Sequence, residues 1–390
     1  DGPVDAIWIE SMNTVLDDNR MLTLANAERI PMSDTTKMTF EVENLNNASP
    51  ATVSRAGIIF VSPEDLSWRP LVDTWCEDRE KEKAYANPEE KNWIREFVAK
   101  YIEKTKMFRE ISSKYLYTMQ TPAVVRATML LNLLDASIQV FTKERQEIID
   151  RKCYEMVFIY ALAWSMAGLM ETDDRVKFHK ELLEKAGAPL PQISAAKQLT
   201  EKETVFDYFV DPETKQWALW QPDSWAAPKK IVFSQLLIPT SDSTRAEYII
   251  DKISKLPLER NQKRGEKGLQ HTLLVGAAGT AKTSVVLMYA AKFNGETHSF
   301  KRINFSSATR PGNFQGGMEG EIQKHQTRIY RPLGGKQMLC FLDDMSMPKI
   351  NDWGDQETLE IVRFIIEQIG LYTLNPEDAG SFNRIEQMKY

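Results

Sequence analysis

Cysteine and histidine are scarce in this chain, and an excess of positive charge is missing altogether. Three cysteines (Cys76, Cys153 and Cys340) and four histidines are spread over 390 residues. Cysteines that are few, far apart and odd in number argue against a disulfide framework and suit a reducing compartment. Lys and Arg total 49 against 55 Asp and Glu, a net charge of −6. The basic surplus that a nucleic-acid backbone demands is therefore lacking, and nucleic acid is not expected as the main partner. No apolar run is read as long enough to span a bilayer. The opening residues DGPVDAIWIE have neither a basic n-region nor a cleavage-like site, so the expectation is an intracellular, soluble chain without a membrane partner. What is present is an ordinary globular composition, 42% hydrophobic and 27% charged, in a chain long enough for two or three domains with cores of their own.

Four stretches differ in rhythm. In residues 1–63, DAIWIE, KMTFEVEN and AGIIFVS read as strands. NNASPATVSR reads as a short helix with Ser49 as N-cap and Pro50 at its first position. This has the look of the rear of an α/β unit that starts inside a domain, with no phosphate loop ahead of it. Residues 64–200 carry long helical patterns: NPEEKNWIREFVAKYIEKTKMFREI, then the more uniformly apolar TPAVVRATMLLNLLDASIQVF and EIIDRKCYEMVFIYALAWSMAGLM. Helices apolar all round belong inside a bundle, and their Met and aromatic residues read as core. In residues 201–230, aromatics flank the turn-like DPETK. They read as a small packed hairpin, with an aromatic surface for a base or sugar as the alternative. From 231 to 390, strand and helix patterns alternate again: IVFSQLLIP, TRAEYIIDKISKL, HTLLVG. No repeat of solenoid period is visible, but the two α/β segments could be copies of one larger unit.

Gly276-Ala277-Ala278-Gly279-Thr280-Ala281-Lys282-Thr283 fits the phosphate-loop pattern G-x-x-x-x-G-K-[ST] except at Ala281. TLLV leads in as a strand, and Ser284 continues into SVVLMYAAKF, a helix whose N-terminus would face phosphate. Lys282 is placed to reach the β- and γ-phosphates of ATP or ADP, and Thr283 to hold Mg2+. Alanine at 281 is tolerable provided its φ stays negative. The apolar run QMLCFL ends in Asp343 and Asp344, with Asp343 61 residues after the lysine. A nucleotide site of this type needs a strand beside the first whose terminal carboxylate holds Mg2+, followed by a base that orients the attacking water. Asp343 suits the first role. Asp344 stands where AAA+ ATPases normally carry glutamate, and its side chain is one methylene shorter, which leaves hydrolysis in question.

The same reading applied to the first stretch gives a weaker constellation. Residues AIWIE resemble the acidic strand of an AAA+ module, with Glu10 in the base position and the apolar Ile9 where the Mg2+ aspartate would be. Asn44 ends FEVEN as either a sensor of γ-phosphate or a turn residue. Arg55 ends the short helix as either an arginine finger for a neighbouring site or a solvated helix end.

DGPVDAIWIESMNTVLDDNRMLTLANAERI and NNASPATVSRAGIIF resemble the second AAA+ module of dynein heavy chains, and IPTSDSTR, INFSSATRPGNFQ, FLDDMSMP and NDWGDQETLEIVR resemble the third. Ala281 and NNASPATVSR favour axonemal, outer-arm γ-type chains over cytoplasmic ones. The resemblance covers both ends of the chain in order, and makes the helical middle the second module's small subdomain. It implies an α/β fold of partial AAA+ modules with an all-α subdomain between them, in a single-chain ring of six modules that drives microtubule sliding. Arg55 would serve the first module's hydrolytic site, Glu10 and Asn44 would face a second nucleotide that is not turned over, and 276–283 would bind a regulatory nucleotide, with Pro239, Thr240 and Asp242 near the adenine. Implied partners are the remaining modules and the linker, microtubules through a stalk, and other dynein heavy, intermediate and light chains. Two rivals stay open: a structural module that binds nucleotide without turnover, and a freestanding phosphate-loop enzyme with a helical adaptor.

Overall fold

A computed structural model of the chain describes residues 4, 6–24, 26–42, 44–62, 67–79, 87–191, 203–227, 232, 236–261, 266–352, 354–374 and 380–390. These fall into two compact units, Asp1–Leu66 with Asn351–Asp355, and Ser67–Ile350 with Gln356–Tyr390.

In the first unit, DAIWIE is not a strand. Helix α1 (Ala6–Ser11) and helix α2 (Asn13–Leu16) precede a two-stranded antiparallel ribbon of β1 (Met21–Thr23) and β2 (Arg29–Pro31). A short apolar run fits a strand or a helix equally well. Here local helical bonding satisfies the backbone, and Ile9 and Val15 are buried. KMTFEVEN and AGIIFVS form no strand either among the described residues, and Glu43 lies outside them. A strand exists only in a ladder, and Ile58, Ile59, Phe60 and Val61 remain exposed, Ile59 at 87%. The expected short helix does form: α3 (Pro50–Arg55) starts on Ser49, whose hydroxyl accepts from the Thr52 N–H, with Pro50 in its first turn.

The second unit begins with helices α4 (Arg69–Arg79), α5 (Glu90–Val98), α6 (Met107–Lys114), α7 (Ala123–Gln139), α8 (Arg151–Ala167) and α9 (Thr172–Ala186). The pattern over 87–111 is not one continuous helix. A π-helical turn at Ala99–Glu103 and a left-handed Lys106 (φ 52°) re-aim the chain between α5 and α6. Asp150 caps α8 by accepting from the Cys153 N–H, and Gly187 ends α9 at φ 56°. The core is aromatic: Phe158 packs 5.5 Å from Phe97 and 6.0 Å from Tyr101, ring centre to ring centre. All three cysteines are buried thiols.

Among the described residues one helix, Ala123–Glu144, is by length and composition long and apolar enough to cross a membrane, which corrects the reading that no segment is. Arg126 and Asp135 interrupt its apolar run; Asp135 is hydrogen-bonded, while the two terminal nitrogens of the buried Arg126 have no hydrogen-bond partner among the described residues. Arg126 lies under the Tyr117 ring at 4.6 Å and donates to Thr121, and Asp135 accepts from the Trp75 indole. Most of the helix is buried, with α4 and α8 among its neighbours.

The hairpin forms as β3 (Tyr208–Val210) against β4 (Trp217–Leu219), antiparallel. It packs on the bundle through Phe206, whose ring meets Trp164 edge-on, while Phe209 stacks on Trp220 at 4.2 Å.

Beyond it lie α10 (Ser241–Ser254), the ribbon β5 (Pro257–Asn261) and β6 (Glu266–Leu269), α11 (Lys282–Ala291), β7 (His298–Asn304), α12 (Pro311–Glu319), β8 (Ile322–Gln326), β9 (Ile329–Pro332), β10 (Gln337–Asp343), α13 (Glu357–Gln368), β11 (Gly370–Tyr372), β12 (Phe382–Ile385) and β13 (Met388–Lys389). A parallel sheet runs β13-β10-β7, and a mixed sheet runs β11-β12-β9-β8. The described part of IVFSQLLIP forms no strand, and residues 231 and 233–235 lie outside the described residues. Helix α10 joins the two halves of this unit. Ile249 and Ile253 pack on the bundle core, while Ala246 and Ile250 pack on Val285, Val286 and Tyr289 of α11.

Candidate phosphate-binding site

The approach to the loop departs from the sequence expectation. TLLV is in no ladder, and its tie to the sheet is a hydrogen bond from the Thr272 N–H to the Tyr390 carbonyl, 3.3 Å. Tyr390 continues β13, and β13 pairs with β10 through Met338↔Met388. The acidic strand is thus not beside the residues that lead into the loop, because β13 stands between them.

The loop itself closes on short local bonds. Thr280 donates its hydroxyl to the Ala277 carbonyl at 2.9 Å, and a Cβ on Gly276 would sit 2.9 Å from that hydroxyl oxygen, so only glycine fits without displacing it. Gly279 has φ 78° and Ala281 has φ 59°. The expectation of a negative φ at Ala281 is overturned: alanine sits in the left-handed region, at a cost of about 1–2 kcal/mol that glycine would not bear. This turn delivers Lys282 as the first residue of α11, and Val285 closes the first helical bond onto the Ala281 carbonyl. Lys282 Nζ donates to the carbonyls of Gly276 (2.8 Å) and Ala277 (2.6 Å), so the ammonium sits in the mouth of its own loop. Among the described residues, the N–H groups of Ala277, Ala278 and Gly279 donate to no protein acceptor. Ser284 follows Thr283 in the helix's first turn.

On the facing strand, β10 ends at Asp343 as expected. Thr283 Oγ1 lies 3.3 and 3.2 Å from the two Asp343 oxygens, across 60 residues of chain. A hydroxyl and a carboxylate that converge beside a lysine make a donor set that suits Mg2+, which takes one or two protein oxygens and completes its shell with water and phosphate. Asp344 is exposed and left-handed (φ 56°), a conformation that aspartate tolerates better than alanine. Its N–H donates to Asp343 Oδ1 at 3.1 Å. One participant escaped the sequence reading. Arg302 of β7 donates from Nη2 to Asp343 Oδ2 at 2.7 Å. The exposed alternate positions of HSFKRIN show which face Arg302 occupies, but only the register of β7 on β10 reveals what it meets.

The other expected residues are not gathered here. Thr240 caps α10, exchanging bonds with Ser243, and Asp242 pairs with Arg245 at 2.6 Å. Pro239 precedes that cap, and among the described residues the hydrogen bonds of Thr240 and Asp242 stay within α10 and its start. In the first unit, Glu10 lies on a helix instead of at a strand end. Asn44 accepts from the Asn46 N–H at 3.1 Å, as a turn residue does. Arg55 donates to the Ala51 carbonyl at 2.9 Å and faces Asp17 at 3.5 Å, as a helix end does. Among the described residues, no hydrogen bond joins these three.

Residues 225–390 match the family described as P-loop containing dynein motor region, and residues 94–222 match the dynein heavy chain AAA lid domain. The flagellar outer-arm dynein gamma chain of Chlamydomonas reinhardtii is 43% identical, over 100% of this chain and 8% of that protein. Dynein axonemal heavy chain 5 of Mus musculus is 36% identical over 100% of this chain, and heavy chain 8 of the same organism is 37% identical over 99%, each across 8% of its own length. The chain spans 8% of the length of these relatives. A phosphate loop on an α/β sheet, a helical lid ahead of it and similarity along the whole chain place it in the dynein heavy chain family, as part of the AAA+ motor region.

Proposed function

We propose that residues 276–283, with Asp343, bind the phosphates of ATP or ADP together with Mg2+ as a regulatory site within the motor of an axonemal dynein heavy chain. The observation that carries this reading is the convergence of Thr283 Oγ1 and the Asp343 carboxylate beside a lysine-bearing loop with unclaimed N–H donors. Lys282 would leave the carbonyls of Gly276 and Ala277 for phosphate oxygens, and the start of α11 would add its dipole. Thr283 and Asp343 would hold Mg2+, which neutralises phosphate charge when bound. Asp344 is the candidate base, and Pro239, Thr240 and Asp242 are the candidate adenine contacts. Arg55 is proposed as the finger for a preceding module, and Glu10 and Asn44 as the rear of a second nucleotide site. In the whole heavy chain this site would act with the other modules and the linker, and with microtubules and other dynein chains, in axonemal movement of cilia or flagella.

A second reading, nucleotide binding without turnover, draws support from Asp344, whose carboxylate is short and whose backbone is left-handed. The test is single-turnover hydrolysis by the full heavy chain with its other phosphate loops disabled. Cleavage that Lys282→Ala abolishes supports catalysis at this site. Tight binding without cleavage supports the second reading, and absence of any binding at this loop overturns both.

A further inference from the structure

Resting on the reading that 276–283 binds nucleotide, we propose that Arg302 is a built-in counter-cation for Asp343 that makes nucleotide binding at this site only weakly dependent on Mg2+. Register sets the geometry. Arg302 pairs with Phe341 and Asn304 with Asp343, so Arg302 lies one side-chain repeat short of the carboxylate on the same face of the sheet. Its guanidinium spans that repeat to reach Oδ2 at 2.7 Å. The Asp343 side chain is 12% exposed and that of Arg302 39%, so the carboxylate is shielded while water screens the pair from the arginine's side. The carboxylate also accepts from the Thr283 hydroxyl and the Asp344 N–H.

A hydrated Mg2+ would draw on these same oxygen lone pairs and would have to compete with a guanidinium that never loses its charge. Arg302 therefore does to Asp343 part of what the metal would do. It holds the carboxylate neutralised beside the phosphate loop, and it weakens the pull of that carboxylate on a divalent cation. Arg302 is a positioning residue in this account and touches no reacting atom.

The experiment uses the full heavy chain with its other phosphate loops disabled and fluorescent ADP as probe, and it compares affinity in Mg2+ with affinity in EDTA. In the unaltered site the two affinities are expected to agree within about threefold. Arg302→Ala and Arg302→Gln are each expected to widen the ratio by about tenfold, the weight of one charge-assisted hydrogen bond. Arg302→Lys, which keeps the charge but not the fork, should fall between. A ratio unmoved in both Arg302→Ala and Arg302→Gln, with binding still lost in Lys282→Ala, overturns this inference and leaves the nucleotide reading standing. No ADP binding to the unaltered loop overturns the two together.

Discussion

The helical lid and the phosphate loop, though parts of one unit, are built on opposite terms. In α8, thirteen of seventeen residues are buried, and rings from α5, α8 and the π-turn between α5 and α6 fill the space between helices. Residues 276–281 are exposed; two of them have positive φ, and the lysine that follows is bonded to the loop's own carbonyls. The lid spends its side chains on stability, whereas the loop keeps polar groups available at some conformational cost. Function at the loop and stability in the lid should accordingly respond to different substitutions.

The largest effect should come from the lid. Phe158→Ala, at a fully buried position, should destabilise it by about 3–5 kcal/mol, read as faster hydrogen exchange across residues 151–167. Next, Lys282→Ala should weaken nucleotide binding by roughly 10–100-fold, the weight of a charge-assisted bond, while exchange in the lid stays unchanged. A lid that loosens in this variant would break the separation drawn above.

Acid should separate the two regions as well. Burial opposes the Glu181 carboxylate, but bonds from Lys114, Lys185 and Tyr115 outweigh it and lower its pKa from 4.5 to about 2. A depressed carboxylate pKa stabilises the fold fully above the unfolded value and loses that contribution as pH falls through the folded one. Protection of α9 should therefore decline between about pH 4.5 and about pH 2, and Glu181→Gln should flatten that part of the profile. The smallest effect is expected at Ala281→Gly. Relief of about 1 kcal/mol of left-handed strain should tighten ADP binding severalfold at most, measured by titration, and weaker binding would show that the strain itself is useful.

Much of this was legible in the sequence. The helices 123–139 and 151–167, the Ser49 cap and the strand that ends at Asp343 follow from periodicity, capping chemistry and composition, which act within a few residues. What was not legible depends on distant partners. DAIWIE and AGIIFVS read as strands by pattern, but a pattern cannot supply the neighbour that a ladder requires. The break between α5 and α6 leaves no proline or glycine to announce it. The phosphate-loop spacing singled out Lys282 and Thr283 as candidates, and the acidic strand end singled out Asp343, yet the sign of φ at Ala281 and the reach of Arg302 belong to backbone geometry and strand register.

Helix α10 has a further consequence. It is fastened to the lid by Lys252 on Glu144 at 2.9 Å and by Arg245 on the Phe206 carbonyl at 2.9 Å. It is fastened to α11 by Ser254 on the Tyr289 hydroxyl at 2.8 Å, and to the residue just past its end by Glu247 with Lys292 at 2.5 Å. Because α11 begins at Lys282, the axle that carries the phosphate-loop lysine bears on a rod already bolted to the lid. A tilt of α11 would strain these four bonds, and through α10 it would pull on the lid.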